Sequence, residues 1–240
     1  MKRITILEDN FFENINTESK AYFLGLIYSD GTIYKDKNWN SYVISLTQSE
    51  KDKDIIFKFK NALKTNKKIY NGHINETKTY VLSVNSEKMF NDLNEKGVTQ
   101  NKSLTIQFPT FISDELMPHF IRGYFDGDGS VWEGKRKKMI IKKENKQGEF
   151  RERIVHNVKF NFTGSNTFIP FLQEYLINHL GLSRTKLNYS KAKEDHRHCL
   201  MEYSGRKNLK ILYDYMYSSA TIYGERKKEK FENILKNEKH

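Results

Sequence analysis

Apolar residues recur along the chain with two different periods, one typical of helices and the other of strands. A helical period begins at Glu18, where Thr17 is a suitable N-cap, and ends at Asp30. Between Tyr42 and Thr47, Tyr, Ile and Leu alternate with Val, Ser and Thr. A period of two predicts a strand with one buried face, as in a sheet that packs on helices. The chain therefore combines helices with half-buried strands.

The order of predicted elements occurs twice. Helix, two strands, helix, two strands and helix follow one another in residues 1–100, and the order returns in residues 118–240 with an additional closing helix. Residues 101–117 have few apolar periods, so we assign them as the linker between an N-terminal and a C-terminal half. An internal repeat of this kind indicates two fused copies of one module. The halves include a predicted helix over Lys51–Lys64, a strand from Ser130–Trp132, a charged hairpin through residues 133–150, and strands over Asn157–Thr163 and Thr185–Ser190.

Two short stretches, residues 23–31 (FLGLIYSDG) and residues 121–129 (IRGYFDGDG), resemble each other and hold corresponding places in the two halves. Each predicts the end of an apolar helix that stops at Asp-Gly and leads into a strand. Each also has two small residues spaced i, i+4 on one helix face, which allows close backbone approach. The predicted helix interface consists of Gly25, Ser29, Gly123 and Gly127.

If the two helices pack side by side, Asp30 and Asp128 emerge together at the same end. Two carboxylates in proximity repel, and one takes up a proton unless cations lie between them. Oxygen ligands with open coordination suit Mg²⁺, and a metal held in this way can activate water for in-line attack on a phosphodiester. The alternative is that each Asp-Gly is an ordinary turn after a helix.

Composition favours an anionic partner. The chain has 240 residues and a formal net charge of +11, which suits nucleic acid, with a membrane surface as the main rival. The longest apolar run, Ala21–Tyr28, is too short to span a bilayer, so no membrane partner is expected. The residues after Met1 lack the apolar region of a signal peptide. The single cysteine, Cys199, excludes an internal disulfide and fits a reducing cytosol.

Both stretches resemble the LAGLIDADG motif of homing endonucleases, in the single-chain form that carries two motifs. The segments Gly97–Ser103, His119–Ser130 and Ala220–Lys227 also resemble bacterial and phage members, and the similarity extends from Glu18 to Phe231. The resemblance implies an α+β fold of two pseudo-symmetric halves, each a curved antiparallel β-sheet backed by helices, packed through the two motif helices. It also implies cytoplasmic localisation in a bacterium or phage host, or an organelle in a eukaryote.

The function implied by the resemblance is site-specific cleavage of double-stranded DNA for intron homing. The enzyme would hydrolyse phosphodiesters with Mg²⁺ or Mn²⁺ and act as a monomer. If each half covers about one helical turn, the site has roughly 20 base pairs, and unlike halves predict a site without palindromic symmetry. Two alternatives stay open: an RNA maturase that binds intron RNA and assists splicing, and a DNA-binding regulator that does not cleave.

The resemblance assigns Asp30 and Asp128 as metal ligands and catalytic residues, one from each motif. Asp126 occupies the other acidic position of the second motif, where the first motif has Tyr28. This asymmetry supports a structural role for Asp126.

Three further catalytic residues follow from the resemblance. Gln48 would orient water in the active site, and the matching position near Gly164 cannot do so, which makes the two half-sites chemically unequal. Lys102 and Lys227 correspond to cations near the scissile phosphates, where they would stabilise negative charge in the transition state. Arg226 is a rival to Lys227. Gln48 could instead be a solvated strand end, and either lysine could be one of many solvated cations.

A basic stretch follows the second motif: residues 133–159 contain ten basic and four acidic residues. A two-stranded ribbon fits the major groove, and lysines along it neutralise phosphates, although a charge run is often only a solvated face. The predicted DNA-binding residues of the second half are Lys135, Arg136, Lys137, Lys138, Lys142, Lys143, Arg151, Arg153, Lys159 and Asn161. Those of the first half, chosen by strand parity, are Ser41, Val43, Ser45 and Thr47.

Overall fold

The computed structural model describes residues 6–141, 150–189 and 198–236. The first half consists of α1 (Glu18–Ser29), β1 (Gly31–Asp36), β2 (Ser41–Ser49), α2 (Lys53–Ala62), β3 (Tyr70–Ile74), β4 (Thr77–Asn85) and α3 (Glu87–Glu95). The second half consists of α4 (Met117–Asp128), β5 (Gly129–Ile141), β6 (Phe150–Ser165), α5 (Ile169–Leu180), β7 (Asn188–Tyr189), β8 (His198–Ser204), α6 (Arg206–Tyr217) and α7 (Glu225–Lys236). The predicted α+β fold and the repeated element order are confirmed.

The two halves contain equivalent antiparallel sheets. Their strand orders are β1-β2-β4-β3 and β5-β6-β8-β7. The register is also equivalent, because Gly31 pairs with Leu46 in the first sheet and Gly129 pairs with Phe162 in the second. A residue of β1 or β2, counted from Gly31 or Leu46, therefore corresponds to the residue of β5 or β6 at the same distance from Gly129 or Phe162. Each site residue can thus be compared with its counterpart.

One face of each sheet packs on helices. Ile44 and Leu46 of β2, and Phe160 and Phe162 of β6, are fully buried on that face. The ring of Phe125 on α4 stacks on Phe160 with centroids 4.7 Å apart, which joins the second motif helix to its sheet. Helix α1 is buried on every side from residue 21 to residue 28, so it lies at the centre of the molecule.

Helices α1 and α4 contact each other backbone to backbone. A Cβ atom added to Gly25 would lie 2.1 Å from the carbonyl oxygen of Phe120, and one added to Gly123 would lie 1.9 Å from that of Tyr22. Such distances leave no space for any side chain. Further along, a Cβ on Gly127 would lie 1.9 Å from the hydroxyl oxygen of Ser29. All four predicted interface residues therefore lie where the helices approach.

The second hairpin differs from its predicted bounds. Strands β5 and β6 pair continuously from Gly129 with Phe162 out to Ile141 with Phe150, so most of the expected charged hairpin is a regular ribbon. The predicted strand over Asn157–Thr163 was therefore too short, because β6 already begins at Phe150.

Other elements are shorter than predicted. Helix α2 begins only at Lys53, because residues 50–52 form a 3₁₀ turn. Strand β7 contains two residues, whereas the prediction began at Thr185. The side-chain amide of Gln173 donates to both the carbonyl oxygen and the hydroxyl of Thr185, at 3.0 Å each, so this residue is held by α5 instead of by a neighbouring strand.

The linker between the halves is packed on the protein. Lys102–Leu104 form a 3₁₀ turn within it, and Ile106 is buried. The hydroxyls of Ser165 and Thr167 donate to the carbonyl oxygen of Ile106 at 2.7 and 2.8 Å. The division into domains at residues 101–117 stays a prediction. Among the described residues, no helix has the length and hydrophobicity needed to cross a lipid bilayer.

The close approach of α1 and α4 predicts that Gly123→Ala destabilises the protein. Alanine has the higher helix propensity by about 1 kcal/mol, so a loosely packed helix would gain stability. Here the new methyl group would meet the backbone of Tyr22, and overpacking of this kind costs about 3 kcal/mol. Urea unfolding measures the difference. As a control, Gly72→Ala places its methyl group in ordinary contact, 3.4 Å from Thr79, and a stabilised Gly123→Ala variant would contradict the packing.

Candidate active site at the ends of the central helices

Asp30 and Asp128 lie at corresponding ends of the two central helices. The backbone N–H of Asp30 closes α1 by donating to the carbonyl oxygen of Leu26 at 2.9 Å, and Asp128 is the last residue of α4. Gly127 allows the two ends to meet, since a Cβ atom there would lie 3.1 Å from Oδ2 of Asp30. The first strand of each half starts at the following glycine.

The two carboxyl groups influence each other. Burial raises the pKa of Asp30 above its ordinary value. Burial of the carboxyl group, and secondly the charge of Asp30, raise the pKa of Asp128 to about 6, although the residue as a whole is exposed. The ammonium groups of Lys102 and Lys227 act in the opposite direction on both residues. The site therefore concentrates negative charge that protons, lysines or a metal cation can compensate.

Gln48 contacts the first aspartate directly. Its side-chain amide donates to Oδ2 of Asp30 at 2.6 Å. Gly164 is the counterpart of Gln48 by strand register, and a Cβ atom there would lie 2.2 Å from the hydroxyl oxygen of Tyr124. No side chain fits at that position, so the chemical inequality predicted for the two halves has a steric cause.

Sequence reasoning missed His198, which lies near the second aspartate. His198 pairs with Ser165 at the start of β8, and its charge lowers the pKa of Asp128. His198 belongs to no recognisable sequence motif. Its position near Asp128 follows only from the pairing of β8 with β6.

Lys102 and Lys227 both lie at the carboxyl ends of the motif helices. Lys102 donates to the carbonyl oxygens of Ser29 and Gly31, at 3.1 and 2.5 Å. Lys227 donates to those of Phe125, Gly127 and Gly129, at 2.8, 2.8 and 2.7 Å. The carbonyls at residues 29 and 31 correspond to those at residues 127 and 129, so the two lysines occupy equivalent sites.

These contacts provide hydrogen-bond donors for carbonyl groups at the helix ends, which lack partners within the helix. The positive charge of each lysine also complements the negative end of the helix dipole. An ammonium group has three N–H donors. All three of Lys227 are used, and Lys102 uses two of its three within the part of the chain that the structure describes. Burial lowers the pKa of both lysines.

Arg226 does not compete with Lys227 for this place. Its guanidinium forms a bidentate ion pair with Asp52, with N–O distances of 2.8 and 2.9 Å. Asp52 belongs to the first half and Arg226 to the second, so the pair links the halves. Of the two predicted rivals, the structure brings Lys227 to the helix end.

Asp126 points into the protein. Its Oδ2 accepts hydrogen bonds from the hydroxyl of Tyr22 and from the backbone N–H of Gly224, both at 2.7 Å. Burial raises its pKa to about 6. These partners agree with the structural role predicted for this residue.

A buried ion pair beside Asp126 was not predicted. Arg122 is completely buried and donates to Glu18 at 2.6 Å, to the carbonyl oxygen of Met216 at 2.6 Å and to that of Ile222 at 2.8 Å. Glu18 in turn accepts from the backbone N–H of Thr221 at 2.7 Å. A charged residue within an apolar motif helix was the available signal for this network, which fixes the connection between α6 and α7.

The predicted DNA-binding residues of the first half differ in exposure. Ser41, Ser45 and Thr47 are partly exposed along β2, and the hydroxyl of Ser45 lies 2.9 Å from that of Ser83 on β4. Val43 is only 6% exposed, so it offers little surface for a base contact.

The basic ribbon of the second half is divided between two faces. Lys135 and Lys137 have the strand parity of Val131, which faces the core, and Lys137 pairs with Glu152 at 2.7 Å. Trp132 lies opposite Lys159 on the other face and is 45% exposed, a candidate contact that the prediction omitted. Lys135 and Lys137 therefore lie on the opposite face of the ribbon from Lys159.

The remaining predicted residues of this surface are only partly described. The side chain of Asn161 accepts from Ser130 at 3.0 Å, and that of Lys159 pairs with Glu202 at 2.8 Å. The backbone of Arg136, Lys138, Arg151 and Arg153 lies in the paired strands β5 and β6. Lys142 and Lys143 lie outside the described residues.

The donor set of the site suits a hard cation that takes part of its ligands from elsewhere. Within the part of the chain that the structure describes, no group of three His, Cys, Asp or Glu is placed to hold a metal. In the same part, Asp30 and Asp128 form no ion pair with the neighbouring lysines, which donate to carbonyls instead. Mg²⁺ is commonly bound by one or two carboxylates together with substrate phosphates and water. Two aspartates fit that arrangement.

Residues 115–162 match a family model described as a LAGLIDADG-like domain. This segment contains α4, with the second motif, and the ribbon of β5 and most of β6. The crystal structure of the LAGLIDADG homing endonuclease I-LtrWI bound to target DNA superimposes with a TM-score of 0.58, 14% identity and coverage of 91% of this chain and 90% of that chain. The chain has the single-chain, two-motif LAGLIDADG fold.

Further structures share this LAGLIDADG fold. The meganuclease I-AabMI bound to uncleaved DNA has a TM-score of 0.55 at 13% identity and covers 90% of this chain and 89% of its own. I-SmaMI bound to uncleavable DNA has a TM-score of 0.53 at 13% identity and covers 89% of each chain. An uncharacterised protein of Methanocaldococcus jannaschii is 30% identical over 138 residues, which are 54% of this chain and 48% of that protein. The chain thus matches about half the length of this relative.

The raised pKa of Asp128 predicts a stability effect of Asp128→Asn that depends on pH. The pKa is about 6 in the folded protein against an ordinary value of 3.8, so the folded state holds the proton more tightly than the unfolded chain does. The free energy of unfolding therefore falls as pH rises through this window. We expect the metal-free variant to be more stable than the original protein at about pH 7.5, with a smaller gain at about pH 4.5. Urea unfolding in EDTA tests this, and equal gains at both values would contradict it.

Proposed function

We propose that this protein is a site-specific endonuclease that cleaves both strands of duplex DNA with the help of a divalent metal. The observation that carries the proposal is the placement of Asp30 and Asp128 together at the ends of two tightly packed helices. The fold supports it, because the structures of I-LtrWI, I-AabMI and I-SmaMI with this fold contain DNA. The net charge of +11 suits the same partner.

Asp30 and Asp128 would hold Mg²⁺ or Mn²⁺. When bound there, the metal would supply Lewis acidity and an activated water for phosphodiester hydrolysis. The protein's own contribution is to keep the two carboxylates together and partly desolvated, so that they attract a cation strongly.

The surrounding residues divide the remaining tasks. Gln48 fixes the orientation of the Asp30 carboxylate and would orient water beside it. Lys102 and Lys227 place positive charge at the helix ends, where it would reduce the cost of negative charge that develops on a phosphate. Among the described residues Lys102 uses two of its three N–H donors, so the third would be available for such a contact, whereas Lys227 would act through its charge from a fully hydrogen-bonded position.

The two halves should read different DNA sequences. The outer face of β2 carries Ser41, Ser45 and Thr47, which suit hydrogen bonds to base edges. The second half presents Trp132 and Lys159 at the corresponding place, followed by a basic ribbon that suits phosphates. One monomer with two unlike halves would therefore recognise a long site of roughly 20 base pairs without palindromic symmetry.

A maturase that binds intron RNA is the second candidate for this fold, and a non-cleaving DNA-binding regulator is the third. The regulator is disfavoured because both aspartates are present at the helix ends. Preference for intron RNA over duplex DNA would identify a maturase.

Cleavage of a plasmid library that carries candidate insertion sites tests the proposal. We expect the protein with Mg²⁺ to linearise plasmids that contain its target, and EDTA to abolish cutting. Asp30→Asn and Asp128→Asn should each remove double-strand cleavage, because each takes a charge from the ligand pair. Asp114→Asn is the surface control, since that side chain is 78% exposed.

Duplex binding without cutting by the original protein would contradict the nuclease and favour the regulator. Full cleavage by both aspartate variants would show that the carboxylate pair is not the catalytic site.

A further inference from the structure

Tyr28 and Asp126 occupy equivalent positions of the two motif helices, two residues before Asp30 and Asp128. Neither side chain faces the carboxylate pair. Each instead contacts the backbone of the segment that leads to the lysine of its own half. The hydroxyl of Tyr28 donates to the carbonyl oxygen of Lys96, and the carboxylate of Asp126 accepts from the N–H of Gly224.

In the first half, the contact lies where the chain leaves α3. Lys96 follows the helix, and Gly97 then adopts a φ of +82°, a left-handed conformation that turns the chain towards the linker. The 3₁₀ turn that starts at Lys102 follows and brings its ammonium group to the end of α1. Tyr28 is almost fully buried and packs edge-on against Phe120, so its hydroxyl is held in place.

In the second half, the contact lies where α7 begins. Gly224 precedes the helix, and its carbonyl oxygen accepts the first helical bond from the N–H of Lys228 at 3.2 Å. The Asp126 carboxylate therefore lies at the N-terminus of α7, where negative charge is favourable. Lys227 is in the first turn of that helix and reaches back to α4. A Cβ atom on Gly224 would lie 3.2 Å from the Asp126 carboxylate, so the contact is close.

Neighbouring contacts hold the start of α7 from other sides. Glu18 binds the backbone of Thr221, and Lys58 of the first half donates to the carbonyl oxygen of Tyr223 at 2.6 Å. Asp126 directly links the motif helix to Gly224, the residue that precedes α7. In the first half, Tyr28 makes the corresponding link by donating a hydrogen bond, whereas Asp126 accepts one.

We propose that Tyr28 and Asp126 are positioning residues, each of which places the lysine of its own half at the end of the motif helix. The proposal rests on the proposed nuclease function, in which Lys102 and Lys227 support cleavage at separate half-sites. It explains why one motif can have tyrosine where the other has aspartate: each matches the backbone group that it must hold.

Strand-specific cleavage distinguishes this role from a general structural one. On a target duplex recovered from the plasmid screen and labelled differently on each strand, we expect Asp126→Ala to slow cutting of one strand by about tenfold or more relative to the other. Tyr28→Phe should slow the opposite strand. Asp126→Asn is the conservative variant: its side-chain oxygen can still accept from Gly224, so it should restore most of the balance.

Acetylation of amines tests the positioning without reference to nuclease activity. We expect Asp126→Ala to raise the labelling rate of Lys227 by about tenfold while that of Lys102 stays unchanged, because only one lysine loses its anchored backbone. Tyr28→Phe should give the reverse pattern. Mass spectrometry of the folded proteins measures both rates, and thermal unfolding confirms that each variant is folded.

Strand-specific cleavage and lysine labelling test the nuclease function and the positioning role separately. If the original protein cuts neither strand while labelling changes as expected, the nuclease function fails but the anchoring stands. If the original protein cuts both strands, and each variant slows them equally with unchanged labelling of both lysines, the positioning role is overturned.

Discussion

Contact between the backbones of α1 and α4 is the constraint on which the other features of the site depend. At Gly25 and Gly123 the facing carbonyl groups lie where a side chain would otherwise be, and at Gly127 the same applies to a hydroxyl. Helices that meet at this distance bring their last residues together as well. The carboxylates of Asp30 and Asp128 are therefore near each other because of residues one to two turns earlier, which have no chemistry of their own.

This proximity creates an electrostatic problem at the helix ends. Two aspartates, together with the negative ends of two helix dipoles, gather in a partly desolvated place. The positive charges of Lys102 and Lys227 partly compensate this negative charge. The two lysines donate to carbonyl oxygens, so the carboxylates have no direct cation partner in the described structure. A site arranged in this way would suit an additional cation and a phosphate group, the combination used in metal-assisted hydrolysis of phosphodiesters.

Much of this arrangement could be predicted from the sequence because it follows from local patterns. The repeat, the motif helices, their small residues and the lysine positions all leave a periodic or motif signal. Residues joined only by the tertiary structure are harder to find: His198 near Asp128 left no signal, and Arg122 left only its charge within an apolar helix, while its partner Glu18 lies more than one hundred positions away. The face of Lys135 and Lys137 was also beyond prediction, since it depends on how far the β5–β6 ribbon continues in register.

In the proposed nuclease, Asp30 and Asp128 bind a divalent cation together when DNA is present. Anomalous diffraction from crystals of the protein with Mn²⁺ and an uncleavable duplex tests it most directly. We expect manganese in contact with the carboxylates of both Asp30 and Asp128. Manganese bound only elsewhere, or absent from this place while duplex lies on the sheets, would contradict it.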